Sequence, residues 1–155
     1  MGDPKRFDLF AGLVSSRAPK AAQIADVAGG KGYLRAAMGD RGFSRVTTWD
    51  KRASKIPGNQ VYRYFDWATA PKYDLVVGMH PDEATDHIIC YAGKHRVPAF
   101  ICPCCVKPSA VTFWGGYKFK HWTTHLLQLI KERDLKYELH HLPMQGKNLV
   151  IEIIP

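Results

Sequence analysis

The chain has 155 residues, 46% apolar and 23% charged, and its 22 Lys and Arg against 14 Asp and Glu leave a formal charge of +8. A chain of this size buries roughly 70% of its unfolded surface, so a core requires neither disulfides nor a structural metal, and a large multi-domain enzyme is excluded. The most apolar runs, YDLVVGM and NLVIEII, are far shorter than the ~18–20 residues of a membrane span, and MGDPKRFDLF lacks a signal-peptide core, so one soluble domain over residues 1–155 is expected.

Asp3-Pro4 ahead of Phe7, Phe10, Leu13 and Val14 at helical spacing predicts a leading helix over 5–15. QIADVAGGKGYLRAAM then reads as a short strand, a glycine-rich turn and a helix ending before Gly39. RVTTWD predicts a second strand, KRASKIPGNQ a loop and VYRYFDW a third strand. YDLVVGM has the continuous apolar pattern of a strand buried on both faces; DEATDHIICYAGK predicts a helix and VPAFICP a fifth strand. TFWGGYKFKHW leads into the amphipathic helix THLLQLIKERD, and KYELHHLP, QGK and NLVIEIIP finish as a hairpin. Alternating strands and helices closed by a hairpin predict an open α/β sheet, in which ligands bind at the carboxyl ends of the strands.

Three of those strand ends carry candidate ligand-binding residues. Between Asp26 and Leu34 the strand breaks into glycines just before a helix, which lets a nucleotide-like ligand touch backbone at a helix N-terminus, or forms a tight turn with no ligand. Asp50 follows Asp26 by 24 positions and ends the second strand, where a carboxylate accepts ribose hydroxyls. Phe65-Asp66-Trp67 sets a carboxylate beside an aromatic, suited to an adenine or to capping a turn.

Together these residues resemble class I S-adenosylmethionine-dependent methyltransferases: DVAGGKGYL is similar to their first motif, TTWDK to their ribose-binding motif and YFDW to their adenine-contacting motif. Ala28 replaces the usual first glycine. The resemblance spans nearly the whole chain. It implies a Rossmann-like methyltransferase fold, a mostly parallel seven-stranded sheet with a C-terminal antiparallel hairpin. It also implies S-adenosyl-L-methionine held by Asp26, Ala28, Gly30, Gly32, Asp50, Asp66, Trp67 and Met79. GMHPDEATD followed by ICPCC further resembles the subgroup that includes acceptor-stem tRNA 2′-O-methyltransferases, which implies an RNA acceptor; the zinc-finger modules of those tRNA enzymes are absent.

Methyl transfer from a sulfonium is an in-line displacement, so the enzyme must align the acceptor and, for a hydroxyl or amine, remove its proton. His80 and Asp82, at the end of the fourth strand, are the candidates for that role. The alternative is that Pro81-Asp82-Glu83 and Asp86 start a helix and complement its dipole. Cys102, Cys104 and Cys105 crowd within four residues and lack the C-x-x-C spacing of a zinc site, so no metal is expected and a reducing, cytoplasmic setting fits. They read as buried thiols, as pocket lining, or as a nucleophile.

The basic charge favours an anionic partner, nucleic acid first, or is a solvated surface. TFWGGYKFKHW interleaves aromatics with lysines, so Trp114, Tyr117, Lys118 and Lys120 are candidate acceptor contacts, or the rings cover the core. RNA methylation is therefore expected. The alternatives are a protein or small-molecule acceptor, or a non-catalytic cofactor-binding subunit with a protein partner. Composition and motifs leave the oligomeric state open.

Overall fold

In the computed structural model, which describes residues 2–155, five runs become parallel strands: β1 (Ile24–Val27), β2 (Val46–Trp49), β3 (Gln60–Val61), β4 (Leu75–Met79) and β5 (Ala99–Cys102). The closing hairpin is β6 (Lys136–His141) and β7 (Leu149–Ile154), with β7 antiparallel to both β5 and β6. The seven strands lie in the order β3-β2-β1-β4-β5-β7-β6. This is the mostly parallel sheet with an antiparallel C-terminal hairpin that the sequence predicts.

The period of two in a strand sorts side chains between two layers. Ile24, Leu75 and Val77 join Phe10, Val14, Leu34 and Met38, under helices α1 (Arg6–Arg17) and α2 (Tyr33–Gly39). Ala25, Val27 and Val76 join Ile88, Tyr91, Trp122 and Leu126, under α3 (Thr85–His95) and α4 (Phe119–Glu132). With both faces covered, β1 and β4 are buried along their whole length, as a run without polar alternation requires. Asp3 Oδ1 accepts the Lys5 N–H at 2.9 Å, fixing the turn that enters α1.

Three predicted elements differ. The strand expected over VYRYFDW is only Gln60–Val61: Tyr62 and Tyr64 are exposed, and the chain turns so that Phe65 buries between Trp49 and Tyr91, at ring distances of 5.4 and 5.2 Å. The helix expected from Asp82 begins as a 3₁₀ turn, Asp82–Ala84, because Asp82 holds a left-handed φ of 50°. α4 starts at Phe119, inside TFWGGYKFKHW and ahead of the helix expected over THLLQLIKERD, and fully buried Trp122 extends its apolar stripe.

Candidate functional site

Strand order reverses at β1, with β2 on one side and β4 on the other, so a crevice opens above their carboxyl ends. The chain leaving β1 fills its floor with a turn built on left-handed residues, φ 55° at Ala28, 53° at Gly30 and 83° at Gly32. Ala28 tolerates this at a cost of roughly 1–2 kcal/mol, anchored by its N–H to the Trp49 carbonyl at 2.8 Å. A side chain at Gly29 would collide with the Asp26 carboxylate beneath it. The turn is thus pressed onto an acid, with its backbone bare.

Asp26 is fully buried. Its Oδ2 accepts the Thr48 hydroxyl at 3.0 Å, and Arg35 supports that hydroxyl at 2.7 Å. Its Oδ1 has no partner among the described residues. Burial pushes the carboxyl up to about 7, against the Thr48 hydrogen bond and the positive charge of Arg35. Arg35, itself buried, also binds the Asn59 and Ile56 carbonyls, tying the loop after β2 to α2.

Asp50, at the end of β2, is also buried yet amply partnered. Oδ2 accepts the Gly30 N–H at 2.9 Å and Arg52 Nη2 at 2.8 Å; Oδ1 accepts the Arg52 N–H at 2.8 Å and Nε at 3.0 Å. Burial alone would raise this carboxyl, but the bonds from Arg52 and Gly30 outweigh it and hold it below the usual carboxylate range. Two hollows meet over Ala28. One, of about 280 Å³, is bounded by Trp49, Asp50, Arg52, Phe65, Asp82 and Lys107. The other, of about 230 Å³, is bounded by Asp26, Gly29, Gly30, Tyr33, Phe7 and Met79. Asp26, Ala28, Gly30, Asp50 and Met79 therefore share one cleft, with Gly32 at the head of α2 behind it.

The other two adenine candidates lie outside this lining. Asp66 turns its carboxylate onto the Ala68 N–H and the Thr69 hydroxyl, both at 3.0 Å, which is the turn-capping alternative. Trp67 packs against the core with its N–H 3.4 Å from His87 Nδ1. Trp49, Tyr64 and Phe65 are the aromatic walls instead.

At the β4 end the two catalytic candidates diverge. His80 has a φ of 57°, and its Nε2 donates to the Lys147 carbonyl at 3.0 Å, fastening the β4 end to the β6–β7 turn. Asp82 lines the cleft, 3.3 Å from Lys107 Nζ, and accepts the Cys104 thiol at 3.2 Å. Burial raises the Asp82 carboxyl, but Cys104 and Lys107 more than offset this and hold it low. Burial and the Asp82 charge push the Cys104 thiol up, and burial pushes Cys102 up to about 12, so neither thiol has the depressed pKa of a nucleophile. Asp82, Cys104 and Cys105 also bring three potential metal donors within 4.8 Å of one another, through a fold contact that cysteine spacing alone does not reveal. Asp86 is buried, and its Oδ2 accepts the N–H groups of Ser109, Ala110 and Val111 at 2.7, 2.9 and 3.2 Å. It anchors the loop that carries Lys107.

That loop continues to Trp114 and Tyr117, 92% and 94% exposed, and so not a cover over the core. Lys118 is the residue just before α4, and Lys120 lies in its first turn. Trp122 and Phe113 pack inside, 5.1 Å apart. Arg52, Lys51 and Lys107 line the cleft although the sequence does not single them out. Their signal is only that Lys51 and Arg52 stand one and two positions beyond Asp50, and Lys107 two beyond Cys105.

No protein-family model matches the sequence, and no curated protein matches it. Solved structures do. A ribosomal protein L11 methylase from Lactobacillus delbrueckii subsp. bulgaricus is similar over 93% of this chain and 75% of its own, at 17% identity and a TM-score of 0.64. A SAM-dependent methyltransferase from Aquifex aeolicus is similar over 99% and 94%, at 11% identity and a TM-score of 0.61. A fibrillarin/Nop5p complex is similar over 93% and 78%, at 10% identity and a TM-score of 0.64. The fold is the Rossmann-like fold of S-adenosylmethionine-dependent methyltransferases. No helix among the described residues is long and apolar enough to cross a membrane.

Proposed function

We propose that the chain is an S-adenosylmethionine-dependent methyltransferase whose acceptor is RNA, with the tRNA-like substrates of the subgroup it resembles as the first to test. The observation that carries this is the cleft at the strand-order reversal: a bare, left-handed glycine turn pressed on a buried acid with one unpaired oxygen, beside a second acid bonded to the same turn. These features fit the cofactor. The Gly30 and Gly32 backbone would hold it with Asp50 at the ribose, Asp26 and Met79 below, and Trp49, Tyr64 and Phe65 around the adenine. Bound there, S-adenosylmethionine supplies an electrophilic methyl group on a sulfonium.

Asp82, ionised and facing the cleft, orients the acceptor and takes its proton, while His80 fixes the strand end from which Asp82 projects. Trp114 and Tyr117 offer stacking faces, and Lys118 and Lys120 offer phosphate contacts, on the loop that leaves β5 at the same rim. This pairing of exposed rings with lysines on a +8 chain favours RNA over a protein or small-molecule acceptor. The assay is a cell extract treated with the purified protein and labelled cofactor, then separated into RNA, protein and small molecules. Label in RNA is the expected result, without any added partner protein. Label in protein or small molecules instead would overturn the acceptor, and calorimetry showing no binding of S-adenosylmethionine or S-adenosylhomocysteine would overturn the whole reading.

A further inference from the structure

Asp50 accepts four hydrogen bonds, three of them from Arg52. A carboxylate offers about four acceptor sites, so this one is filled without a ligand. Nε and Nη2 of Arg52 sit one on each oxygen, the bidentate fork that makes guanidinium–carboxylate pairs specific. The guanidinium also overhangs the glycine turn, since a Cβ on Gly30 would come within 3.5 Å of Nη2. A vicinal diol donating to Asp50 needs the two sites that the Arg52 side chain occupies. The Gly30 and Arg52 backbone N–H bonds come from main chain that need not move. The side-chain bonds can be released, because the Arg52 side chain is 71% exposed and hydrates readily once it swings out.

We infer that Arg52 is an internal competitor for the ribose seat: it stands in for the diol in the free protein, and its departure is part of cofactor binding. This rests on the proposed cofactor site. It makes Arg52 a determinant of cofactor affinity that acts by occlusion, opposite in sign to a residue that supports Asp50 or touches the ligand.

The test is calorimetric titration of the wild type, R52A and R52K with S-adenosylhomocysteine, chosen because its net charge near zero keeps salt from acting on the ligand itself. An ion pair exposed on its Arg52 side, which must break, predicts about two- to fivefold tighter binding by R52A. R52K keeps a cation but loses the fork, so it falls between the two. Raising ionic strength should tighten binding by the wild type, by screening the competing pair, and leave R52A nearly flat. Equal affinity in the wild type and R52A, or weaker binding by a folded R52A, overturns the competitor while leaving the cofactor site intact. No binding by any of the three overturns the cofactor site, and the competitor with it.

Discussion

Replacing Asp26 by Asn gives the sharpest test of how the glycine turn is built. In the folded protein burial moves this carboxyl from 3.8 to about 7, while in the unfolded chain it titrates near 3.9. Between those values the folded state holds a proton that the unfolded state has lost, so stability falls as pH rises through the window. Three pH units at 1.36 kcal/mol each amount to about 4 kcal/mol in all, of which about 2–3 kcal/mol falls between pH 5 and pH 8. Asn keeps the shape and can still accept the Thr48 hydroxyl, but it does not titrate.

Urea unfolding of both proteins at pH 5 and pH 8 reads the effect as a difference of differences. Wild-type stability should drop relative to Asp26→Asn by those 2–3 kcal/mol, with unchanged m-values. His95, whose pKa burial depresses, contributes the opposite slope, with stability lost as pH falls through its unfolded value near 6.5. That contribution is common to both proteins and cancels. Parallel pH profiles for the two would refute the claim that Asp26 is an uncompensated buried acid.

Asp50→Ala should lower S-adenosylhomocysteine affinity about tenfold or more, since it removes a charge-assisted acceptor for the ribose hydroxyls; calorimetry checks it. Lys118→Ala with Lys120→Ala should weaken RNA binding and lower the slope of log affinity against log salt by about 0.7–0.9 for each phosphate no longer neutralised, as read by filter binding across a salt series. Elemental analysis should find no stoichiometric zinc: Asp82, Cys104 and Cys105 offer three donors, but Cys104 is held protonated and the Lys107 ammonium lies 3.3 Å from Asp82, where a cation would have to compete.

The strands that build the cleft are legible in the sequence because they are buried on both faces. β4 and β5 need unbroken apolar runs, and LVVGM and AFIC supply them, while β1 (IADV) is apolar but for Asp26. The glycine turn is legible because left-handed backbone leaves a residue signature at Gly30 and Gly32. The third strand is shorter than its residues suggest: Tyr62 and Tyr64 have strand propensity, but their rings are exposed and only Phe65 finds a core. The start of α4 is hidden although its stripe is periodic. Trp122 stands four before Leu126, which continues to Leu129 and Ile130, but the surrounding lysines and aromatics give the segment a loop-like composition. The His80 bond to the Lys147 carbonyl joins residues 67 apart, and no local pattern announces such a pairing.

What separates the rim acids is how their oxygens are satisfied, and their hydrogen-bond partners say more here than motif spacing does. Asp86 spends one oxygen on three backbone N–H groups, leaves the other unpaired among the described residues as Asp26 does, and sits away from both hollows, which makes it a fastener for the loop after β5. Asp50 is saturated, so any ligand must displace a donor, and its exchangeable donors belong to the Arg52 side chain. Asp82 holds a thiol and an ammonium that is itself half exposed, so it can exchange partners at low cost. Asp26 is the reverse case: it is walled in at the edge of the smaller hollow, with one oxygen unpaired among the described residues, and a proton or a hydrogen-bond donor would relieve it. One acid in want of a donor, one that must shed a donor and one free to trade partners are the three states that the proposed cofactor, cationic at one end and carrying a diol at the other, would call on.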